Sequence, residues 1–441
     1  MKLSQWLLAG LAGTQVIGTS FAADDADTIG GLKQEIQQLD QKVRVLERKQ
    51  ELDQETAAQA KPAPVLNVGE KGFALESADG AFKLRLRSLV QADARFYPDD
   101  GGVSGNDTFL IRRARLEFTG TLYDKFDFRV MPDFAGSTPT LLDAWLNWEI
   151  KPEFQVLAGK VKVPVGLERY QSRENNLLNE MGYPTSLVPN RDIGLAVHGE
   201  LLDRKLDYYL GVFDGTADGG STVTDTDDEK TVAARLFVTP FAAGDHDALK
   251  GLGLGIAGTY GDSEGRPSGY STVGQQTFFR WSAGTVNDGT VWRVAPQLYY
   301  YNGPFGLLAE YVVSSQELRN GAVSDSVENA AWQVTASYVL TGEESTFRGV
   351  KPARPVGFGD KKGWGAWQVV ARATELDVDN GAFPTFASAA TSPSRARSYG
   401  GGINWYLNPQ VRFSADYNWT EFSGTPVRDE QAVITRVQFR F

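Results

Sequence analysis

From Ala81 to Phe441 the chain alternates apolar and polar residues with a period of two, segment after segment. In the first segment, FKLRLRSLVQADARF, Phe82, Leu84, Leu86, Val90, Ala92, Ala94 and Phe96 share one parity. Lys83, Arg85, Arg87, Gln91, Asp93 and Arg95 share the other, and only Ser88 and Leu89 blur the pattern. Phe126, Phe128 and Val130 alternate in the same way with Asp127 and Arg129. So do Val411, Phe413, Ala415, Tyr417 and Trp419 with Arg412, Ser414, Asp416 and Asn418. About 16 such segments follow one another, an even number as a single-chain bacterial barrel requires. Each predicts a β-strand with one greasy and one polar face. In a soluble sandwich the greasy face meets a second sheet, and in an outer-membrane barrel it meets lipid while the polar face lines a lumen.

The connections favour the barrel. Tight turns at Lys151–Glu153, Leu202–Lys205, Asn302–Pro304 and Leu407–Gln410 alternate with long polar stretches at Pro164–Arg191, Asp214–Lys230 and Asp262–Gly289. Short turns on one side and long loops on the other are the habit of outer-membrane barrels. Aromatic residues gather at strand ends (Phe96-Tyr97, Trp145 and Trp148, Tyr299 to Tyr301, Trp405-Tyr406, Trp419 and Phe422), as interfacial girdles do. The expected fold is therefore all-β, a 16-stranded antiparallel transmembrane β-barrel over residues 81–441. By parity Lys83, Arg85, Arg87 and Arg95 face the lumen from the first strand, and Arg113, Arg115 and Glu117 from the second. Together they make a basic wall that Asp93, Glu117 and Asp127 partly neutralise. Rings of Arg and Lys are what anion pores use, although lumen arginines also brace barrels through salt bridges.

Upstream, residues 1–22 carry a basic Lys2, an apolar run from Trp6 to Ile17 and a small-x-small site at Ser20-Phe21-Ala22, which reads as a secretory signal peptide. Residues 23–60 hold Ile29, Ile36 and Val43 at one heptad position and Leu32, Leu39 and Leu46 at another, the a and d positions of a short periplasmic coiled coil. β-Branched a with Leu d favours two strands in parallel coils, and a helix docked on its own chain is the alternative. Pro62 and Pro64 mark residues 61–80 as a linker.

The formal charge of −11 argues against a nucleic-acid partner, and the absence of cysteine removes disulfides and thiolate metal sites. Gly253 to Gly258 matches a dinucleotide fingerprint, but glycines alternating with Leu254 and Ile256 place it inside a strand instead of between a strand and a helix. The acidic run Asp225 to Glu229 lacks the glycine and closing glutamate of a calcium loop. Only His198 and His246 could serve as catalytic bases, and neither has a nucleophile at a meaningful spacing. An enzyme is not expected, nor a cofactor or a metal.

The chain resembles the phosphate-selective porin O and P family of Gram-negative outer membranes. The stretches that carry the resemblance are FKLRLRSLVQADARF, RRARLEFTGTLYDKFDFRV (Arg112–Val130), GKVKVPVGLERYQS (Gly159–Ser172), YVLTGE (Tyr338–Glu343), GAWQVVARAT (Gly365–Thr374) and INWYLNPQVRFSADY (Ile403–Tyr417). The resemblance implies a 16-stranded porin in outer-membrane lipid and lipopolysaccharide, usually a homotrimer, that conducts small anions and is often selective for phosphate or polyphosphate. It also implies roles. Arg112 and Arg113 match the family's arginine pair at the constriction, and Arg95 sits near another basic position there. Lys160 and Lys162 lead into the third external loop, which folds inward in porins of this type. The loop Asp262–Gly289, where phosphate-selective members carry closely spaced arginines, holds only Arg266 and Arg280. A general or carboxylate-selective porin and an envelope-tethering barrel stay open as alternatives.

Overall fold

The computed structural model describes residues 24–59, 64–69, 72–98, 105–224, 228–242, 247–357, 363–424 and 427–441. The expected signal peptide, His246 and most of the acidic run 225–229 lie outside them. Two compact units divide the chain, 1–63 and 64–441. In the first, helix α1 runs from Asp24 to Gln59, and its heptad residues Ile29, Leu32, Ile36, Leu39, Val43 and Leu46 are all exposed. Arg44–Asp40 and Arg48–Glu51 pairs lie along it one turn apart. No described helix is long and apolar enough to cross a membrane.

The second unit is a closed antiparallel barrel. Its strands are β1 (Phe82–Phe96), β2 (Thr108–Leu122), β3 (Phe126–Asp133), β4 (Thr140–Lys151), β5 (Phe154–Lys162), β6 (Arg191–Leu201), β7 (Leu206–Phe213) and β8 (Thr231–Val238). They continue as β9 (Leu252–Gly265), β10 (Thr285–Asn302), β11 (Phe305–Asn320), β12 (Val323–Val339), β13 (Ala366–Asp377), β14 (Arg395–Tyr406), β15 (Val411–Ser423) and β16 (Glu430–Arg440). Each pairs with the next, and β16 closes on β1 from Val433↔Phe96 to Arg440↔Leu89. The sixteen-stranded expectation is met. Ser88 still exchanges backbone bonds with Phe441, and below it the edge of β1 has no partner left on the β16 side. There a hairpin of residues 65–69 and 72–76, within the stretch read as a linker, takes over and pairs Phe73–Glu76 with Lys83–Leu86. It covers an edge that would otherwise leave backbone groups unpaired.

Outward residues are apolar as the parity requires: Leu84, Val90, Leu236, Ile256, Val334 and Val437 are all exposed. Aromatic belts mark both rims, with Phe126 stacked on Trp148 and Trp367 on Trp405 at the rim that holds the termini, and Tyr399 against Trp419 at the opposite rim. The loop sorting is less regular than the sequence implied. Gly321-Ala322 makes a tight turn on the long-loop side, and 340–365 is a long connection on the short-turn side. Inside, the lumen is not uniformly polar. Phe237, Leu308 and Leu167 cluster there, with Tyr299 packed against them.

One irregularity explains the adjacent arginines. In the β1–β2 ladder Gln91 pairs with Arg113 but Ala92 pairs with Ile111, so Arg112 is the extra residue of a bulge. A bulge puts two consecutive side chains on one face, and both Arg112 and Arg113 thereby reach the lumen.

The 28 residues between β5 and β6, 163–190, form the third loop (L3) and fold inward. A four-residue helix (Leu167–Tyr170) and two 3-10 turns shape it, and most of its residues are buried. Its fastening reaches most of the way round the barrel. Glu310 on β11 accepts from the Leu167 amide at 2.7 Å, and Gln333 on β12 donates to Glu168 at 2.9 Å. Thr374 on β13 accepts from the Tyr183 amide, Asn404 on β14 donates to the Leu177 carbonyl, and Arg412 on β15 to that of Asn176. At the loop's far end, Glu180 is gripped by Arg112 at 2.6 Å, Arg95 at 3.0 Å, Arg436 at 3.1 Å and Arg113 at 3.8 Å. Asp93 completes the knot with two bonds to Arg436. Burial pushes the Glu180 carboxyl up, but Arg112, Arg113 and Arg436 outweigh it and hold the group well below the usual carboxylate range.

Ile256→Arg, on the lipid-facing side of β9, should destabilise the barrel by about 2–4 kcal/mol in urea unfolding from vesicles, as for a charge placed near the midplane. Glu180→Gln should loosen L3, raise single-channel conductance and cost roughly 3–5 kcal/mol, because it leaves buried arginines uncompensated. A carboxylate with a depressed native pKa contributes fully above its unfolded value and loses that contribution progressively as pH falls from there through the native one. The stability gap between wild type and Glu180→Gln should therefore persist from pH 7 to about pH 4 and shrink only below it.

Candidate functional site

L3 packs against β8, the walls β10–β16 and the loop-side ends of β1 and β2, so the remaining space lies to one side. It is a cavity of about 420 Å³ between L3 and the lumen faces of β1 to β7. Its cations are Arg87 from β1, Arg115 from β2, Arg129 from β3, Lys162 from the end of β5, Arg191 from the start of β6 and Arg173 from L3. Glu117, Asp127, Asp143 and Glu174 stand among them.

Most of these cations are spoken for. Arg115 meets Asp133 at 2.7 Å, and Arg191 meets Asp143 at 2.7 Å. Arg129 bridges Glu117 at 3.3 Å and Asp143 at 3.4 Å. Arg87 pairs with Glu174 of L3 at 3.1 Å and approaches Glu117 at 3.8 Å. Lys162 is different: its ammonium donates to the backbone carbonyls of Gln171 at 2.9 Å and Tyr170 at 3.3 Å. Arg173 likewise has no carboxylate at ion-pairing distance, and its guanidinium rests on the Met181 sulfur. Burial, together with Arg169, Arg113, Arg115 and Arg191 nearby, pushes the Arg173 pKa well down. Among the described residues Lys162 and Arg173 are the two cations of this lining without an acidic partner.

The structure sorts the residues expected from sequence into four groups. Arg87, Arg115 and Lys162 line the cavity. Arg95, Arg112 and Arg113 are committed to Glu180, so their charge fastens L3. Lys83 and Arg85 lie lower, beside the N-terminal hairpin, with Lys83 3.6 Å from Glu76. Lys160 is half-buried near Arg191 and Asp143 and lines none of the cavity. Arg129 and Arg191 were legible in principle, the first from inward parity and the second from its place at the end of the inward loop. Arg173 had no sequence signal, since only the path of L3 brings it to the opening.

No group of His, Asp and Glu among the described residues is arranged to hold a metal ion. The glycine fingerprint lies within β9, where a Cβ at Gly253 would stand 2.7 Å from the Phe237 ring, so the glycines make room for a lumen aromatic.

The model of the family described as phosphate-selective porin O and P matches residues 82–441. Porin O of Pseudomonas aeruginosa is 25% identical over 423 residues, which covers 84% of this chain and 91% of that protein. Among solved structures, the outer membrane channel DcaP of Acinetobacter baumannii superposes with a TM-score of 0.53 at 12% identity, covering 84% of this chain and 99% of that one. An anion-selective porin from Comamonas acidovorans does so with a TM-score of 0.53 at 11% identity, covering 82% and 100%. At such identities these two structures speak to the fold alone. The family match takes in all sixteen strands and the inward loop, and the chain belongs to the phosphate-selective porin O and P family, as a porin of the Gram-negative outer membrane.

Proposed function

We propose that this porin passes small anions by passive diffusion through the space between L3 and the β1–β7 wall, and that Lys162 and Arg173 set the preference. The observation that carries the reading is the charge census of that space. Paired cations present a nearly neutral surface to a passing ion, whereas Lys162 and Arg173 line the space without an acidic partner and are left to act on it. An anion entering the constriction sheds water, and a guanidinium can replace the lost hydrogen bonds in a bidentate way while an ammonium supplies a point charge. Two cations held by backbone and sulfur contacts attract without trapping, as conduction requires. Phosphate is the candidate physiological anion, by family and by its fit to a guanidinium. We take the barrel to work as a homotrimer seated in lipid and lipopolysaccharide, with the exposed heptads of α1 available to pair with those of other copies.

In planar bilayers under a potassium chloride gradient the reversal potential should carry the sign of chloride permeation, and cation preference would overturn the reading. Two unit charges about 4 Å apart in water attract by about 1 kcal/mol. Lys162→Gln and Arg173→Gln should each therefore lower the anion-to-cation permeability ratio roughly five-fold. Unchanged ratios in both would return the role to the paired arginines.

A further inference from the structure

The channel has a second tier that ion conduction does not require. Trp145 breaks the outward habit of the aromatic belts and faces the lumen, half-buried on the cavity wall. The ladder sets it beside Arg129 on one side and Gly159 on the other, and Gly159 is followed in the next strand by Gly194. The two glycines leave the wall next to the indole without side chains. A Cβ at Gly159 would come within 2.3 Å of the Ala144 carbonyl oxygen, and its φ of +120° also requires glycine. One step further toward the terminal rim lies Asn147, whose side-chain oxygen is 2.9 Å from His198 Nε2. His198 stacks on Tyr209, with ring centroids 5.8 Å apart. From the facing side L3 presents Tyr170, 42% exposed and lying next to the Lys162 ammonium that its carbonyl accepts.

The cavity thus has a cationic tier near L3, at Lys162 and Arg173, and directly below it flat rings from both walls: Trp145, Tyr170 and His198. The lower tier also carries Asp127, opposite Asn147 in the ladder; the cations at this level are engaged, Arg129 by Glu117 and Asp143 and Arg235 by the Tyr170 and Phe237 rings, so a second negative charge on a solute would meet the Asp127 carboxylate. A chain of phosphates would meet that carboxylate. A single anionic head followed by a flat, uncharged body would not.

We propose that, besides phosphate, the porin takes organic anions with one charged head and a planar ring, such as aromatic carboxylates and aryl phosphate monoesters, and holds them more tightly than their ringless counterparts. The head pairs with Lys162 and Arg173, and the ring lies against Trp145 and Tyr170. Stacking of this kind adds selectivity without tight binding, since each aromatic contact is worth only about 0.5–1.5 kcal/mol beyond its area. The inference rests on the anion reading above.

The test measures block of chloride current in planar bilayers by two matched pairs, benzoate against acetate and phenyl phosphate against inorganic phosphate. In the wild type the ring-bearing member of each pair should block at roughly three- to ten-fold lower concentration. Equal block within both pairs overturns the proposal. Trp145→Leu should bring both ratios close to one, and an unchanged ratio removes Trp145 from the site. Tyr170→Leu, on the opposite wall, makes the same test if the first variant fails to insert. The two readings fail separately: cation preference in the reversal potential sinks the anion channel, whereas an anion-selective channel with equal block sinks only the ring tier.

Discussion

Closure of β16 on β1 is the constraint from which the rest of this structure follows. Lipid offers no hydrogen-bond partners, so every backbone group of a spanning strand must find one in a neighbouring strand, and only a ring of strands leaves no edge. Once the ring closes, parity admits no compromise. A strand that shows Leu84 and Val90 to lipid must turn Arg87, Gln91, Asp93 and Arg95 inward. The seam runs out below Ser88 and Phe441, and there the N-terminal hairpin takes over the edge of β1.

A lumen crowded with charge is costly unless the charges are paired, because burial removes their water. L3 answers that cost. It brings Glu180 to four arginines and Glu174 to Arg87, while it lays its own apolar residues, such as Leu167, against Phe237 and Leu308. Its contacts run from β8 round to β16 and on to the loop-side ends of β1 and β2, which leaves the opening against the lumen faces of β1 to β7. The position of the channel is thus a consequence of where the loop is fastened. Among the described residues of the lining it leaves Lys162 and Arg173 without an acid, the pair to which the proposed anion preference is assigned.

Much of this architecture is legible in the amino-acid sequence. Period-two alternation requires only that each strand have two faces, a local property. The sixteen strands, the lumen placement of Arg87 and Arg115 and the strand nature of the glycine fingerprint can therefore all be read from the chain. The irregular features cannot. The paired segments 65–69 and 72–76 lie in a short stretch that composition marks as a linker, and they are strands because a vacant edge waits for them. The inward turn of both Arg112 and Arg113 comes from a bulge, which shifts parity by one residue without a mark in the alternation.

The amino-acid sequence by itself determined the architecture, the membrane-facing surface and, wherever the alternation is regular, which strand side chains enter the lumen, because those depend on neighbours two residues apart. Only the tertiary structure decided which of the lumen cations are spent on bracing and which remain available. Arg95 and Glu180 are 85 residues apart in the chain, and Arg436 and Glu180 are 256. Ion pairing over such separations is set by the path of a folded loop, and no local pattern encodes it. That is why Arg95, Arg112 and Arg113, the arginines that stood out in the sequence, hold the loop in place, while the unremarked Arg173 stands beside the channel.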